Sequence, residues 1–221
     1  MRERLLISGD RKGHVTVKEA VSGHVRYRFQ METGVVRELY LLDNGNTLVA
    51  TQKDHTVFWD LATGSEIRRF DQRIYGFSNN ETLFFTYNTD GVFLHAYPSM
   101  KGVCQLCKGP MLGPDAHLFS PNDQFLAILF SSGRPSSDSH YPRSNPVFRG
   151  NTYSKLFDLL TCQEIQEFSK LDVVRLGEFS SDSTAYDLKE AEISLEGRRL
   201  SGAWRFDLTN KNVTHRKEED K

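Results

Sequence analysis

Short apolar runs recur along this chain, each bounded by Asp, Asn, Gly or Ser. Residues 35–41, 47–51, 56–60 and 65–70 are one such series, rich in Val, Leu, Tyr and Phe. Runs of this length and composition read as strands, and the polar residues between them as turns. Residues 82–87 and 124–130 are apolar nearly throughout instead of alternating. That pattern predicts strands buried on both faces, as in sheets packed against other sheets. No window carries a long helical period with caps. The one ambiguous stretch is 185–196, where Ala191, Ile193 and Leu195 alternate as in a strand, whereas Leu188, Ala191 and Leu195 would share a helix face. The pattern predicts an all-β chain.

The runs are also copied. Phe77-Ser78-Asn79-Asn80-Glu81-Thr82-Leu83-Phe84 recurs as Phe119-Ser120-Pro121-Asn122-Asp123-Gln124-Phe125-Leu126 and as Phe179-Ser180-Ser181-Asp182-Ser183-Thr184-Ala185-Tyr186. Leu42-Asp43-Asn44-Gly45-Asn46-Thr47 is a degenerate fourth copy. A second motif follows each copy. Its best version is Val57-Phe58-Trp59-Asp60-Leu61-Ala62-Thr63-Gly64, with a close relative in Leu156-Phe157-Asp158-Leu159-Leu160-Thr161-Cys162 and weaker ones near Glu19 and Asp207. Taking Glu19, Asp60, Tyr97, Asp158 and Asp207 as anchors, and setting aside a polar insertion at 131–152, the unit is about 40 residues, a period that marks repeat architectures.

The order of polar turn, Leu48-Val49-Ala50-Thr51, Asp54-His55-Thr56-Val57, Phe58-Trp59-Asp60-Leu61 and Ala62-Thr63-Gly64 resembles a blade of the WD-repeat β-propeller family. Phe119-Ser120-Pro121-Asn122-Asp123 is similar to that family's Phe-Ser-Pro-Asp-Gly turn. The resemblance implies a single β-propeller domain over residues 1–221, with about five blades near 4–30, 35–70, 74–106, 116–168 (with the insertion 131–152) and 173–215, and a charged tail at 216–221. It casts Trp59 and Asp60 as structural, and Asp54 with Trp59 as two members of the hydrogen-bonded tetrad that pins such blades, although the family's Gly-His dipeptide is missing. The first blade lacks its inner strand. Three readings stay open: a small closed ring with a three-stranded first blade, a piece of a larger propeller, and a ring completed by a partner chain. An uncovered strand edge recruits other strands.

Charge changes the picture little. Twenty-eight basic side chains against twenty-nine acidic ones leave no global field to draw the protein onto nucleic acid or anionic lipid. Within the first thirty residues seven basic side chains face three acidic ones, a pattern expected on the solvent side of an outer strand. No apolar run approaches the roughly 20 residues of a membrane span, and the N-terminal apolar stretch is too short for a signal peptide. Three cysteines are too few for a disulfide framework, which places the chain in a reducing compartment, the cytoplasm or nucleus. Cys104-Gln105-Leu106-Cys107 has zinc-knuckle spacing, but only Cys162, His95, His117 and His140 remain to complete four ligands, so buried small side chains are the simpler expectation and no metal is assigned. The sequons at Asn80 and Asn212 mean little without secretion.

No phosphate loop, nucleophile elbow, zinc-protease motif or dinucleotide fingerprint is present, so no catalytic or cofactor residues are assigned and an enzyme is not expected. The insertion is the most distinctive segment. Arg134, Tyr141, Arg143, Phe148 and Arg149 lie on it, and Arg with aromatic side chains is the chemistry of protein-binding hot spots. The expectation is a non-catalytic scaffold that binds other proteins through face loops within a larger assembly. The alternatives are RNA binding through the same loop and the basic N-terminus, and, less favoured, a propeller enzyme.

Overall fold

The computed structural model describes residues 4–32, 34–109, 113–131, 152–169, 171, 173, 176–195 and 198–216. Almost all regular structure among them is antiparallel strand. One sheet has three strands, β1 (Leu5–Gly9), β2 (His14–Glu19) and β3 (Val25–Gln30). Four sheets have four strands, each a meander in chain order. They are β4 (Glu38–Leu42), β5 (Thr47–Thr51), β6 (Thr56–Asp60) and β7 (Ser65–Phe70); β8 (Ile74–Phe77), β9 (Leu83–Asn88), β10 (Gly91–Ala96) and β11 (Lys101–Lys108); β12 (Gly113–Phe119), β13 (Phe125–Ser131), β14 (Thr152–Asp158) and β15 (Gln163–Glu164); and β16 (Glu178–Phe179), β17 (Ala185–Leu195), β18 (Arg198–Asp207) and β19 (Val213–Arg216). The chain forms two compact units, Met1–Tyr75 and Gly76–Lys221. The ambiguous stretch from Ala185 is strand.

The copied motifs are copied turns. In the first, Ser78, Ser120 and Ser180 each donate N–H to the carbonyl five residues on, at 2.9 Å, and accept that residue's N–H on Oγ. Each hydroxyl in turn donates to the side chain two residues on, Asn80, Asn122 or Asp182. The fourth residue, Glu81, Asp123 or Ser183, takes a left-handed backbone with φ of 59°, 56° and 60°. A short Ser and a short amide or carboxylate therefore satisfy the turn from within, which is why these types recur. The hydroxyl of Ser180, with the amide and hydroxyl of Thr184, holds the Asp182 carboxyl down to about 2. The degenerate copy differs: Asp43 and Asn44 are both left-handed, and Thr47 Oγ1 donates to Asp43 Oδ2.

Successive turns are joined. Asp123 accepts N–H bonds from Asn79, Asn80 and the Asn79 side chain, all at 2.8 Å. One turn later Ser183 Oγ accepts the N–H of Asn122 at 3.1 Å. The residue before Asn122 is Pro121, which has no N–H, so a single acceptor serves there where a carboxylate serves the earlier pair.

In the second motif Asp60, Asp158 and Asp207 each accept the N–H groups two and three residues on. Gly64, Cys162 and Lys211 then take the left-handed position at φ of 73°, 58° and 58°. Met100 does so four residues after Ala96, so the structural counterpart of these anchors is Ala96 and not its neighbour Tyr97. Gly64 has a second reason to be glycine. A Cβ there would lie 2.5 Å from Tyr27 Cε1, and Tyr27 is fixed by its hydroxyl donating to the Leu61 carbonyl at 3.0 Å. Gly64→Ala is expected to lower stability by roughly 1–2 kcal/mol, read as a drop in urea midpoint.

Central strands are buried on both faces, as their unbroken apolar runs predict. All five residues of β5 are buried, as are Phe84, Phe85 and Thr86 of β9 and Leu126, Ala127 and Ile128 of β13. In the first unit Val15, Val17, Met31, Leu48, Ala50, Val57, Trp59 and Leu61 form one core, with Phe29 stacked on Trp59 at 4.7 Å. In the second, Phe168 sits edge-on to Tyr186 and Phe206 at 5.6 and 5.4 Å, within a cluster that includes Leu156, Ile165, Leu188 and Trp204. Here the last strand of the sheet stops short of Phe168, where the unit expected at 116–168 ends. β15 is two residues long, and the one-turn helix α1 (Gln166–Ser169) follows it, swinging Phe168 inward to full burial while Ser169 donates to Glu164.

Candidate functional site

The residues marked for partner contact, Arg134, Tyr141, Arg143, Phe148 and Arg149, lie outside the described residues, as does His140. The base of their loop is described. β13 and β14 are the second and third strands of their sheet, and they pair without a register break from Phe125↔Asp158 to Ser131↔Thr152. The segment 132–151 thus leaves and re-enters between two paired residues of a strand pair whose core positions are buried.

A half-buried polar cluster in the first unit joins residues up to 35 positions apart and is not legible in the sequence. Glu38 opens β4 opposite Thr51, whose hydroxyl donates to Glu38 Oε2 at 3.1 Å. Arg73 Nη2 donates to Glu38 Oε1 at 2.6 Å, and the guanidinium lies 4.2 Å from the centre of the Tyr75 ring. Tyr40 donates its hydroxyl to the Tyr75 carbonyl at 3.0 Å. Burial, and next the Glu38 charge, push the Tyr40 phenol well above its ordinary range, with Arg73 opposing. It stays neutral at physiological pH. Glu38 and Arg73 neutralise one another, so the cluster is an ion pair packed on the Tyr75 ring and not a group poised for proton transfer.

Three expectations are corrected or resolved. Asp54 and Trp59 do not meet in a tetrad: Asp54 is 81% exposed and bonds the His55 ring, while Trp59 is core. Thr56 instead ties β6 to the segment 72–74, donating to the Gln72 carbonyl at 2.9 Å and accepting the Ile74 N–H at 3.1 Å. Asp60 is structural, as its turn bonds show. The cysteines are not all thiols. Cys104 is bonded to Cys162, with Cα atoms 6.3 Å apart, so the Cys104–Cys107 spacing is no thiolate pair for a metal, and the cysteine count gives no ground for a reducing compartment. His95 is stacked on Phe84 at 4.9 Å, bonded to Thr86 and pushed down by burial. His117 stands edge-on to Phe85 at 5.1 Å, beneath Gly76, where a Cβ would fall 2.2 Å from its Nε2. Among the described residues no group of three or more His, Cys, Asp or Glu is placed to hold a metal.

The basic N-terminus behaves as an outer strand should. β3 alternates, with Arg26, Arg28 and Gln30 exposed and Val25, Tyr27 and Phe29 turned inward. Asn80, part of a sequon, is engaged in its turn through Ser78 and Thr82. Among the described residues no helix is long and apolar enough to cross a membrane.

No protein-family model matches the chain. No curated protein matches it either. Among solved structures it is similar to the hydrazine synthase of Kuenenia stuttgartiensis, with a TM-score of 0.56 at 11% identity, over 94% of this chain and 61% of that one. The chain thus spans about three fifths of the length of that structure, and at this identity the likeness concerns fold alone.

Proposed function

We propose that the chain is a β-propeller of the WD-repeat type and works as a non-catalytic scaffold that binds other proteins. The observation that carries this reading is the unbroken β13–β14 pairing, with buried core positions, whose last paired residues Ser131 and Thr152 flank the segment 132–151. Arg with aromatic side chains is the chemistry of protein-binding hot spots. Repeated meanders with recurring turns, and a solved structure of similar fold, support the architecture. Arg134, Tyr141, Arg143, Phe148 and Arg149 are assigned to the contact, with Arg73 and Tyr75 supplying similar chemistry in the first unit.

The double substitution Arg143→Ala with Phe148→Ala is expected to lower capture of a protein partner from native lysate at least tenfold, the scale of a hot-spot loss, with the melting temperature unchanged. Capture equal to that of the unsubstituted protein refutes the assignment. Binding that survives protease but not nuclease, and falls steeply with salt, replaces it with the nucleic-acid reading.

A further inference from the structure

The three cysteines form a cluster that the scaffold reading does not use. Cys104 and Cys107 both lie on β11; Cys104 is bonded to Cys162, in the turn between β14 and β15, and Cys107 keeps its thiol. In a regular strand, residues three apart face opposite sides of a sheet. β11 is not regular here. Cys104 pairs with Leu94 and Cys107 with Val92, and a register shift between Val92 and Phe93 leaves Leu106 as the extra residue. Cross-strand partners share a face, and Leu94 and Val92 are two residues apart, so both cysteines are turned to one face. A second observation agrees. Cys107 lies in the fields of Lys155 on β14 and Glu164 on β15, and Glu164 is two residues past Cys162. The thiol and the disulfide are therefore neighbours on the same side of β11.

We propose that Cys104, Cys107 and Cys162 form a thiol–disulfide exchange site in which Cys107 displaces Cys162 from Cys104. The Cys107 thiolate attacks Cys104 Sγ, the Cys104–Cys162 bond breaks, and a Cys104–Cys107 bond forms. Cys162 leaves as a thiolate and takes up the proton that Cys107 lost. One disulfide and one thiol exist before and after, so no oxidant or reductant is consumed. The spacing allows it: with Leu106 bulged out, the two cysteines stand opposite Leu94 and Val92, two steps and about 6.6 Å apart on β10, at the upper end of the roughly 4.4–6.8 Å seen between bridged Cα atoms. Exchange unties β11 from the β14–β15 turn and moves the reactive thiol from one sheet to the next. Burial pushes the Cys107 thiol up, the backbone hydrogen bond at Val92 and the Lys155 ammonium oppose it and Glu164 adds to it, so exchange accelerates as pH rises, by roughly tenfold per unit while the thiol form dominates.

The test uses the full chain, oxidised with glutathione disulfide, freed of small thiols, kept folded in mildly alkaline buffer and pulsed with iodoacetamide over time. Peptide mapping is expected to show label first on Cys107 and then on Cys162 as well, with Cys104 protected throughout. In Cys107→Ser no label reaches Cys162. In Cys162→Ser, glutathione disulfide yields a Cys104–Cys107 bridge, seen as the loss of two hydrogens in mass. Label confined to Cys107 in the unsubstituted protein overturns the proposal. So does label on Cys162 in Cys107→Ser, or a folded Cys162→Ser protein that retains two alkylatable thiols after oxidation.

Discussion

Phe168→Ala is expected to lower the unfolding free energy by about 3–5 kcal/mol, the range for removing a fully buried aromatic ring and leaving its cavity. Phe168 has no exposed surface, and its ring meets the edges of Tyr186 and Phe206, which come from the two long strands of the last sheet. It reaches them from α1, a single turn too short to be stable alone. Truncation therefore removes the contacts that hold the helix as well as the ring. Urea unfolding of Phe168→Ala beside Phe168→Leu checks this, the leucine variant recovering about half of the loss. A change below about 1 kcal/mol for alanine would mean that the ring is not buried as described.

Asp123→Ala is expected to cost about 2–3 kcal/mol. Its carboxylate is the shared acceptor for two backbone N–H groups and one side-chain amide of the preceding turn, all at 2.8 Å. Hydrogen bonds to a charged group are individually stronger than neutral ones, but Asn79 and Asn80 are exposed enough for water to recover part of the loss. Ser183→Ala removes one bond at the equivalent position and should cost about 0.5–1.5 kcal/mol. The ordering of the pair, measured by denaturant midpoints, is the informative result. Equal effects would show that turn-to-turn bonding does not contribute as the geometry implies.

Much of this fold is legible because its turn chemistry is local. The Ser–x–Asn/Asp and Asp–Leu–x–Thr/Asn patterns complete their hydrogen bonds within five residues, so the residue types betray the turn. Apolar runs such as Phe125–Phe130 likewise state their burial directly. What escapes the sequence is set by sheet adjacency. Nothing near Cys104 names Cys162 as its partner, 58 residues away. Nothing in Cys104-Gln105-Leu106-Cys107 announces the bulge that turns both sulfurs to one side. Glu38 and Arg73 meet across 35 positions, for the same reason. The helix α1 is not legible because one buried Phe decides its course, within a segment that otherwise reads as strand. Asp54 is no tetrad member because its carboxylate is solvent-exposed and bonds the ring of His55, one residue on, while Trp59 lies in the core.

Amide hydrogen exchange of the folded chain tests the repeated-sheet architecture most directly. The account predicts protection that recurs with the repeat, strongest in β5, β9 and β13, the second strands of their sheets, and falling in the turns at 61–64, 97–100 and 159–162. Protection in one continuous block, or uniformly fast exchange through those three strands, would contradict it.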